Sequence, residues 1–255
     1  MATITYERPA MAYWSFCREL LDVPHLLIAG STGSGKSVLI NSIIYTAMGT
    51  STPASCEFVL IDPKKMELYE YADLPFTVAY CDEARTALAA LDNVINTMFR
   101  RCEQARNQHL KEYPGSHIYV IIDEYADLAI TAKRAFQERV TRIAQLGRAA
   151  RIHLIIATQR PTTDTINGAI KTNMDYRIAL HTAEAQHSRN IIGMNGAENL
   201  PIGQGLYYTP RGVTLRAIPM TSPEDLTGRC NYWRQNPGVI TGLPEPKKKR
   251  RFLRW

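Results

Sequence analysis

The chain has few cysteines and no pattern among them. Cys17, Cys56, Cys81, Cys102 and Cys230 are five in number and widely spaced, which excludes both the C-x-x-C spacing of zinc and redox sites and an even disulfide framework. A reducing compartment is the expectation. No apolar run approaches the ~20 residues that cross a bilayer, and the opening MATITYERPAMAYW lacks the charged-then-apolar order of a secretory signal. These absences predict a cytoplasmic protein with no membrane span of its own, held at a membrane only by a partner. Excess charge is also missing from the body. The net charge of +6 equals the six cations Lys247, Lys248, Lys249, Arg250, Arg251 and Arg254, so residues 1–246 carry 30 − 6 = 24 basic side chains against 24 acidic ones. Any grip on a polyanion within that body must come from local placement of Arg and Lys.

What is present is an ordinary globular composition, 45% hydrophobic over 255 residues, enough for a core that needs no metal or disulfide staple. Short apolar runs at 25–29 (HLLIA), 57–61 (EFVLI), 76–80 (FTVAY), 118–122 (IYVII), 152–157 (IHLIIA) and 176–180 (YRIAL) alternate with helix-length segments. That rhythm predicts an α/β fold with a mainly parallel sheet flanked by helices. Helical periodicity is clearest over 83–108, through Leu88, Leu91, Val94, Ile95, Met98 and Phe99, and over 131–146. Two alternating arms within 203–218, around Thr209-Pro210-Arg211-Gly212, predict a C-terminal β-hairpin. The organisation expected is a docking strap or shortened extra strand over 1–24, the main α/β domain over 25–220, a short helix and linker over 221–246, and a basic tail over 247–255.

Gly30-Ser31-Thr32-Gly33-Ser34-Gly35-Lys36-Ser37 fits G-x-x-x-x-G-K-[ST] between the strand HLLIA and the helical VLINSIIYTAM. There the glycines let successive N–H groups wrap phosphates, Lys36 reaches the terminal phosphates, and the Ser37 hydroxyl ligates magnesium. Asp123-Glu124 directly follows the strand IYVII, so Asp123 is expected to hold magnesium through water and Glu124 to deprotonate the attacking water. Thr158-Gln159-Arg160-Pro161 follows a third strand, which places Gln159 to sense a γ-phosphate. Arg148, before that strand, is the candidate arginine finger for a neighbouring subunit.

HLLIAGSTGSGKS, FVLIDPKKMEL, IYVIIDEYADL and RIAQLGRAARIHLIIATQRPTTDTINGAIKTN, in that order, resemble the FtsK/SpoIIIE motor domain of bacterial double-stranded DNA translocases. The likeness runs from about Val23 to Ala217. It implies a RecA-like P-loop core that closes into a ring, usually a hexamer, threads duplex DNA and hydrolyses ATP with Mg2+ at subunit interfaces. It also places Arg160 and Lys171 toward the channel as DNA-phosphate contacts, while a further channel lysine of the family falls on Ala185. The resemblance implies a trimmed form, without the membrane region and winged-helix module, such as mobile elements carry. Two other readings stay open: an export or conjugation ATPase that engages a protein partner, and a module that switches oligomeric state with nucleotide. The tail PKKKRRFLRW offers polyanion binding, to DNA or to anionic lipid.

Overall fold

The computed structural model describes residues 12–163, 165–166 and 168–238. The basic tail, residues 239–246 of the expected linker and the first eleven residues lie outside the described residues. Eight strands form one sheet: β1 (His25–Ala29), β2 (Cys56–Ile61), β3 (Thr77–Cys81), β4 (His117–Ile122), β5 (Ile152–Thr158), β6 (Tyr176–Ala179), β7 (Gln204–Thr209) and β8 (Gly212–Ala217). Their order is β3-β2-β4-β5-β1-β6-β7-β8. The first six in chain order pair in parallel, and β7 and β8 form the antiparallel hairpin at one edge. The expected α/β class, the parallel sheet and the hairpin are all present.

The central strands are apolar on both faces, as parallel strands covered by helices must be. Leu27, Val59, Val120, Leu154 and Ile156 face one way, toward α3 (Ala84–Asn107), α4 (Tyr125–Thr131), α5 (Lys133–Leu146), α6 (Gly168–Asn173) and α7 (Ala185–Ile192). Leu26, Ile28, Phe58, Leu60, Ile121 and Ile155 face the other, toward α1 (Ala12–Asp22), α2 (Lys36–Thr50) and α8 (Pro223–Gln235). Helix α2 buries Leu39, Ile40, Ser42, Ile43, Ile44 and Met48 on all sides, which fixes the glycine loop at its N-terminus in a rigid setting. Among the described residues no helix is long and apolar enough to cross a membrane.

Two elements differ from the sequence expectation. The opening segment holds a helix rather than a strand: Phe16, Cys17, Leu20 and Leu21 give α1 an apolar face, and Phe16 meets Tyr207 edge-on at 5.3 Å. The helix expected over 131–146 is α5, and a short helix that the sequence reading did not give, α4, precedes it, the two meeting where Lys133 takes φ 45°. The short helix expected after residue 221 is α8, and it is anchored rather than loosely attached. Ser222 Oγ accepts the Asp225 N–H at 3.1 Å with Pro223 in the first turn, and the helix so capped fully buries Cys230 and Trp233. Trp233 Nε1 donates to Met48 O at 3.1 Å, and Arg229 donates to Tyr45 O at 2.6 Å.

A histidine cluster closes the end of the sheet where the parallel strands begin. His117 Nδ1 lies 2.9 Å from His153 Nε2, His153 Nδ1 lies 2.8 Å from Val23 O, and the Leu154 N–H donates to His25 Nδ1 at 3.1 Å. Burial lowers all three; His25 falls to about 3, with His153 adding, and His153 to about 4.

Candidate functional site

Strand β5 lies between β1 and β4, so the loops leaving all three emerge side by side at the carboxyl end of the sheet, where open α/β folds take ligands. After β1 the chain turns too tightly for a side chain at Gly30: a Cβ there would sit 2.5 Å from Ser34 Oγ and 2.8 Å from Leu180 Cβ. Gly35, at φ 97°, supplies the left-handed turn into α2. Ser31 anchors the loop by donating both N–H and hydroxyl to His181 O, at 2.8 and 3.0 Å. Thr32 and Gly33 are exposed at its tip, Ser34 and Lys36 are buried, and Ser37 opens the helix.

Facing this loop are Asp123 and Glu124, each only 2% exposed. Burial pushes the Asp123 carboxyl up to about 6, the Lys36 ammonium opposes that rise, and Glu67, Asp62 and Glu124 add to it. Asp123 Oδ1 and Ser34 Oγ are both buried with no hydrogen-bond partner in the structure. A desolvated carboxylate and hydroxyl of this kind suit a divalent cation and the phosphates it accompanies. Among the described residues no three His, Cys, Asp or Glu side chains converge as a metal cage. Magnesium beside phosphates takes one or two protein oxygens and water, so the buried Asp123 carboxylate and the Ser37 hydroxyl in the first turn of α2 suit Mg2+ with a nucleotide.

Glu124 takes the left-handed backbone at φ 53°, ψ 64°, a conformation non-glycine residues keep only where the surroundings impose it. Its Oε1 accepts from Thr158 Oγ1 at 2.9 Å and from the Gln159 N–H at 3.1 Å. Its Oε2 accepts from the same N–H at 3.2 Å and from Lys64 Nζ at 3.2 Å. The Gln159 side chain turns the other way, its Oε1 accepting the Thr32 hydroxyl at 2.8 Å. Gln159 thus ties Glu124 to the glycine loop.

Arg160 is exposed and shares a cavity of about 550 Å³ with Pro63, Asp82, Glu83 and Asp127. Lys171 is half-buried in α6, and its backbone carbonyl accepts from Arg177 at 2.7 Å. Arg148 is not at this site. It sits in the short turn Arg148–Ala150 before β5 begins, 75% exposed, 4.0 Å from Glu112. Seven residues of β5 separate it from Gln159, about 20 Å of strand, so within its own chain it stands at the opposite end of the strands. Sequence reasoning gave no role to Asp62 and Lys64. Asp62 Oδ2 accepts the N–H groups of Glu67 and Leu68 at 3.1 and 3.0 Å, folding the loop after β2 so that Lys64 reaches Glu124. Polar residues leaving the carboxyl end of the apolar strand EFVLI are the same signal that marked Asp123 and Gln159.

The buried ionisable groups give the fold a defined acid response. His25 and His153, whose proton affinities are lowered by burial on folding, add stability that is full above their unfolded value near 6.5 and is lost as the pH falls toward 4. Asp123 has the opposite sign: its raised value costs stability that is relieved as the pH falls through 6. From pH 7 to 5 the histidines lose about 3 to 4 kcal/mol and Asp123 returns about 1. Urea unfolding should therefore show a net loss of about 2 to 3 kcal/mol, made larger by Asp123→Asn; a midpoint that does not move between these pH values contradicts the assignment.

The strand order and this convergence of loops place the chain among the P-loop ATPases. The profile of the FtsK/SpoIIIE family matches residues 11–115 and 102–163, and the chain belongs to that family. It is 40% identical over 217 residues to the DNA translocase FtsK of Sporosarcina ureae, covering 77% of this chain and 28% of that protein. It is 40% identical over 215 residues to the DNA translocase SpoIIIE of Bacillus subtilis, covering 76% and 27%. The chain thus spans little more than a quarter of these relatives. Among solved structures, the pCW3 conjugation coupling protein TcpA, monomer form with ATPgS, superposes with a TM-score of 0.74 at 24% identity, over 84% of this chain and 66% of that one. The cytoplasmic domain of the Thermomonospora curvata type VII secretion ATPase EccC superposes with a TM-score of 0.70 at 26% identity, over 88% and 28%.

Proposed function

We propose that this chain is the motor domain of a double-stranded DNA translocase, hydrolysing ATP in the bacterial cytoplasm and working as a ring, hexameric by family resemblance. The observation that carries the reading is the identity with proteins named DNA translocases over three quarters of the chain, combined with a site in which Gln159 bonds both Glu124 and the glycine loop. Gly30 to Gly35 present N–H groups to the phosphates, and Lys36 neutralises the terminal ones. Ser37 and Asp123 would hold Mg2+, which when bound offsets charge on the β- and γ-phosphates. Glu124 takes a proton from the attacking water as the oxygen–γ-phosphorus bond forms. The bond from that phosphorus to the bridging oxygen breaks, and ADP leaves with the electron pair.

Arg160 follows Gln159 directly in the chain, so a DNA phosphate held by Arg160 is one residue from the residue that joins Glu124 to the glycine loop. Lys171 supplies a second phosphate contact. Steady-state ATPase with and without long duplex DNA tests this reading. The expected result is a several-fold stimulation by DNA, absent in Lys36→Ala. In Arg160→Ala and Lys171→Ala the DNA affinity should fall, and the slope of log affinity against log salt should flatten by about one for each cation removed from the DNA phosphates. An ATPase indifferent to DNA but stimulated by a protein or peptide would transfer the assignment to an export or conjugation ATPase, which the likeness to EccC keeps in view.

A further inference from the structure

Resting on the proposed ATPase reading, we propose that Lys64 and Thr158 form a clamp that restrains Glu124 as a base, and that the loop carrying Arg160 opens it. A carboxylate has about four acceptor positions, and those of Glu124 are engaged by Thr158, Gln159 and Lys64 in four contacts of 2.9 to 3.2 Å. Buried to 2% exposure, it has no direct access to bulk water. Donors on both oxygens occupy the lone pairs that would receive the water proton. In this arrangement Glu124 is held in place with its acceptor positions taken. Its left-handed backbone is the mark of a residue kept there by its neighbours.

The clamp has a handle. Thr158 donates its hydroxyl hydrogen to Glu124 Oε1, and the same oxygen accepts the Arg160 N–H at 3.1 Å. Thr158 is wholly buried and Arg160 is exposed, so one hydroxyl connects the catalytic carboxylate to the first residue of the surface loop. That loop is braced by Thr165, whose hydroxyl donates to Arg160 O at 2.6 Å, and by Asn190, whose amide donates to Pro161 O at 2.9 Å. Thr165 and Asn190 thus hold residues 160–161 in one arrangement. Arg160 shares its cavity with Asp82, Glu83 and Asp127, carboxylates that favour the arginine until a stronger polyanion competes for it. Drawing Arg160 onto a DNA phosphate shifts its N–H from Thr158, frees the hydroxyl to turn, and loosens Glu124. Lys64 and Thr158 are positioning residues here, acting through Glu124.

The test compares Lys64→Met and Thr158→Val with the conservative Lys64→Arg and Thr158→Ser, measuring ATPase against ATP concentration with and without long duplex DNA. Lys64 is 35% exposed, so its replacement leaves the core intact even where Thr158→Val does not fold. Lys64→Met should raise the DNA-free kcat about three- to fivefold and Thr158→Val about tenfold, with KM little changed. The stimulation by DNA should shrink toward one, and the conservative variants should restore it. Parallel losses with and without DNA, or a raised KM, would mean that Lys64 serves the nucleotide and would overturn the clamp; unchanged rates would do the same. A parent ATPase that ignores DNA defeats the translocase reading alone, because the DNA-free rate still reports on the clamp. A parent and variants that are all silent toward ATP defeat both.

Discussion

Replacing Glu124 by Gln is expected to give a chain that binds ATP and turns it over about a thousandfold more slowly, within the 10² to 10⁴ that a positioned general base contributes. Gln has the same shape, so the Gln159 N–H and Thr158 hydroxyl can still bond its oxygen, and a position only 2% exposed is neither emptied nor overfilled. What is lost is the ability to take a proton from water. Lys36→Ala provides the contrast, because it removes the buried ammonium beside Asp123 and should weaken nucleotide binding itself. A fluorescent nucleotide titration paired with a single-turnover rate separates the two. Glu124→Gln should leave the titration nearly in place and slow the single turnover about a thousandfold, whereas Lys36→Ala should displace the titration. A Glu124→Gln chain that turns over at the parent rate would move the base elsewhere.

Much of this site was legible because chemistry and topology mark the same positions. The runs HLLIA, IYVII and IHLIIA are apolar throughout because β1, β4 and β5 are covered on both faces, and the first polar residues after each run are those at the carboxyl edge of the sheet. Residues 30–37, Asp123, Glu124 and Gln159 could therefore be placed at strand ends, and the structure brings them together. Lys64 was hidden for a different reason: its partner lies 60 residues away, and nothing local states that β2 lies beside β4. The order that inserts β5 between β1 and β4 is likewise a tertiary outcome. Helix α1 was obscured by the aromatic and proline-rich opening segment, although Phe16, Cys17, Leu20 and Leu21 carry a helical spacing. Helix α5 was legible from its periodicity, whereas α4, seven residues long and set off from α5 by the left-handed Lys133, is too short to show one. Helix α8 was legible from its Ser-Pro start but not its anchorage, because the hold comes from Leu226, Cys230 and Trp233 set against α2.

Arg148→Ala is expected to lower ATP turnover by about 10³ to 10⁵, the range for a removed arginine finger, and its position makes the assignment testable by mixing. At the opposite end of β5 from Gln159, Arg148 cannot reach the nucleotide of its own chain, so the proposed finger role requires a head-to-tail ring in which that end meets the next subunit's site. Each working interface then needs Glu124 from one chain and Arg148 from the other. Arg148→Ala and Glu124→Gln chains are each nearly inactive alone. Mixed in equal amounts and allowed to exchange, they form some interfaces whose nucleotide side comes from the first and whose finger side comes from the second. Random assembly makes these about one quarter of all interfaces, one half times one half, so activity should recover toward a quarter of the parent rate where interfaces fire independently. A finger acting in cis predicts no recovery, since neither chain holds a complete site. A structural role for Arg148 predicts little loss in the single variant, because its side chain is 75% exposed and 4.0 Å from Glu112, a surface pair worth at most about 1 kcal/mol. The three outcomes differ in the single-variant rate and in the mixture, so one set of measurements decides among them.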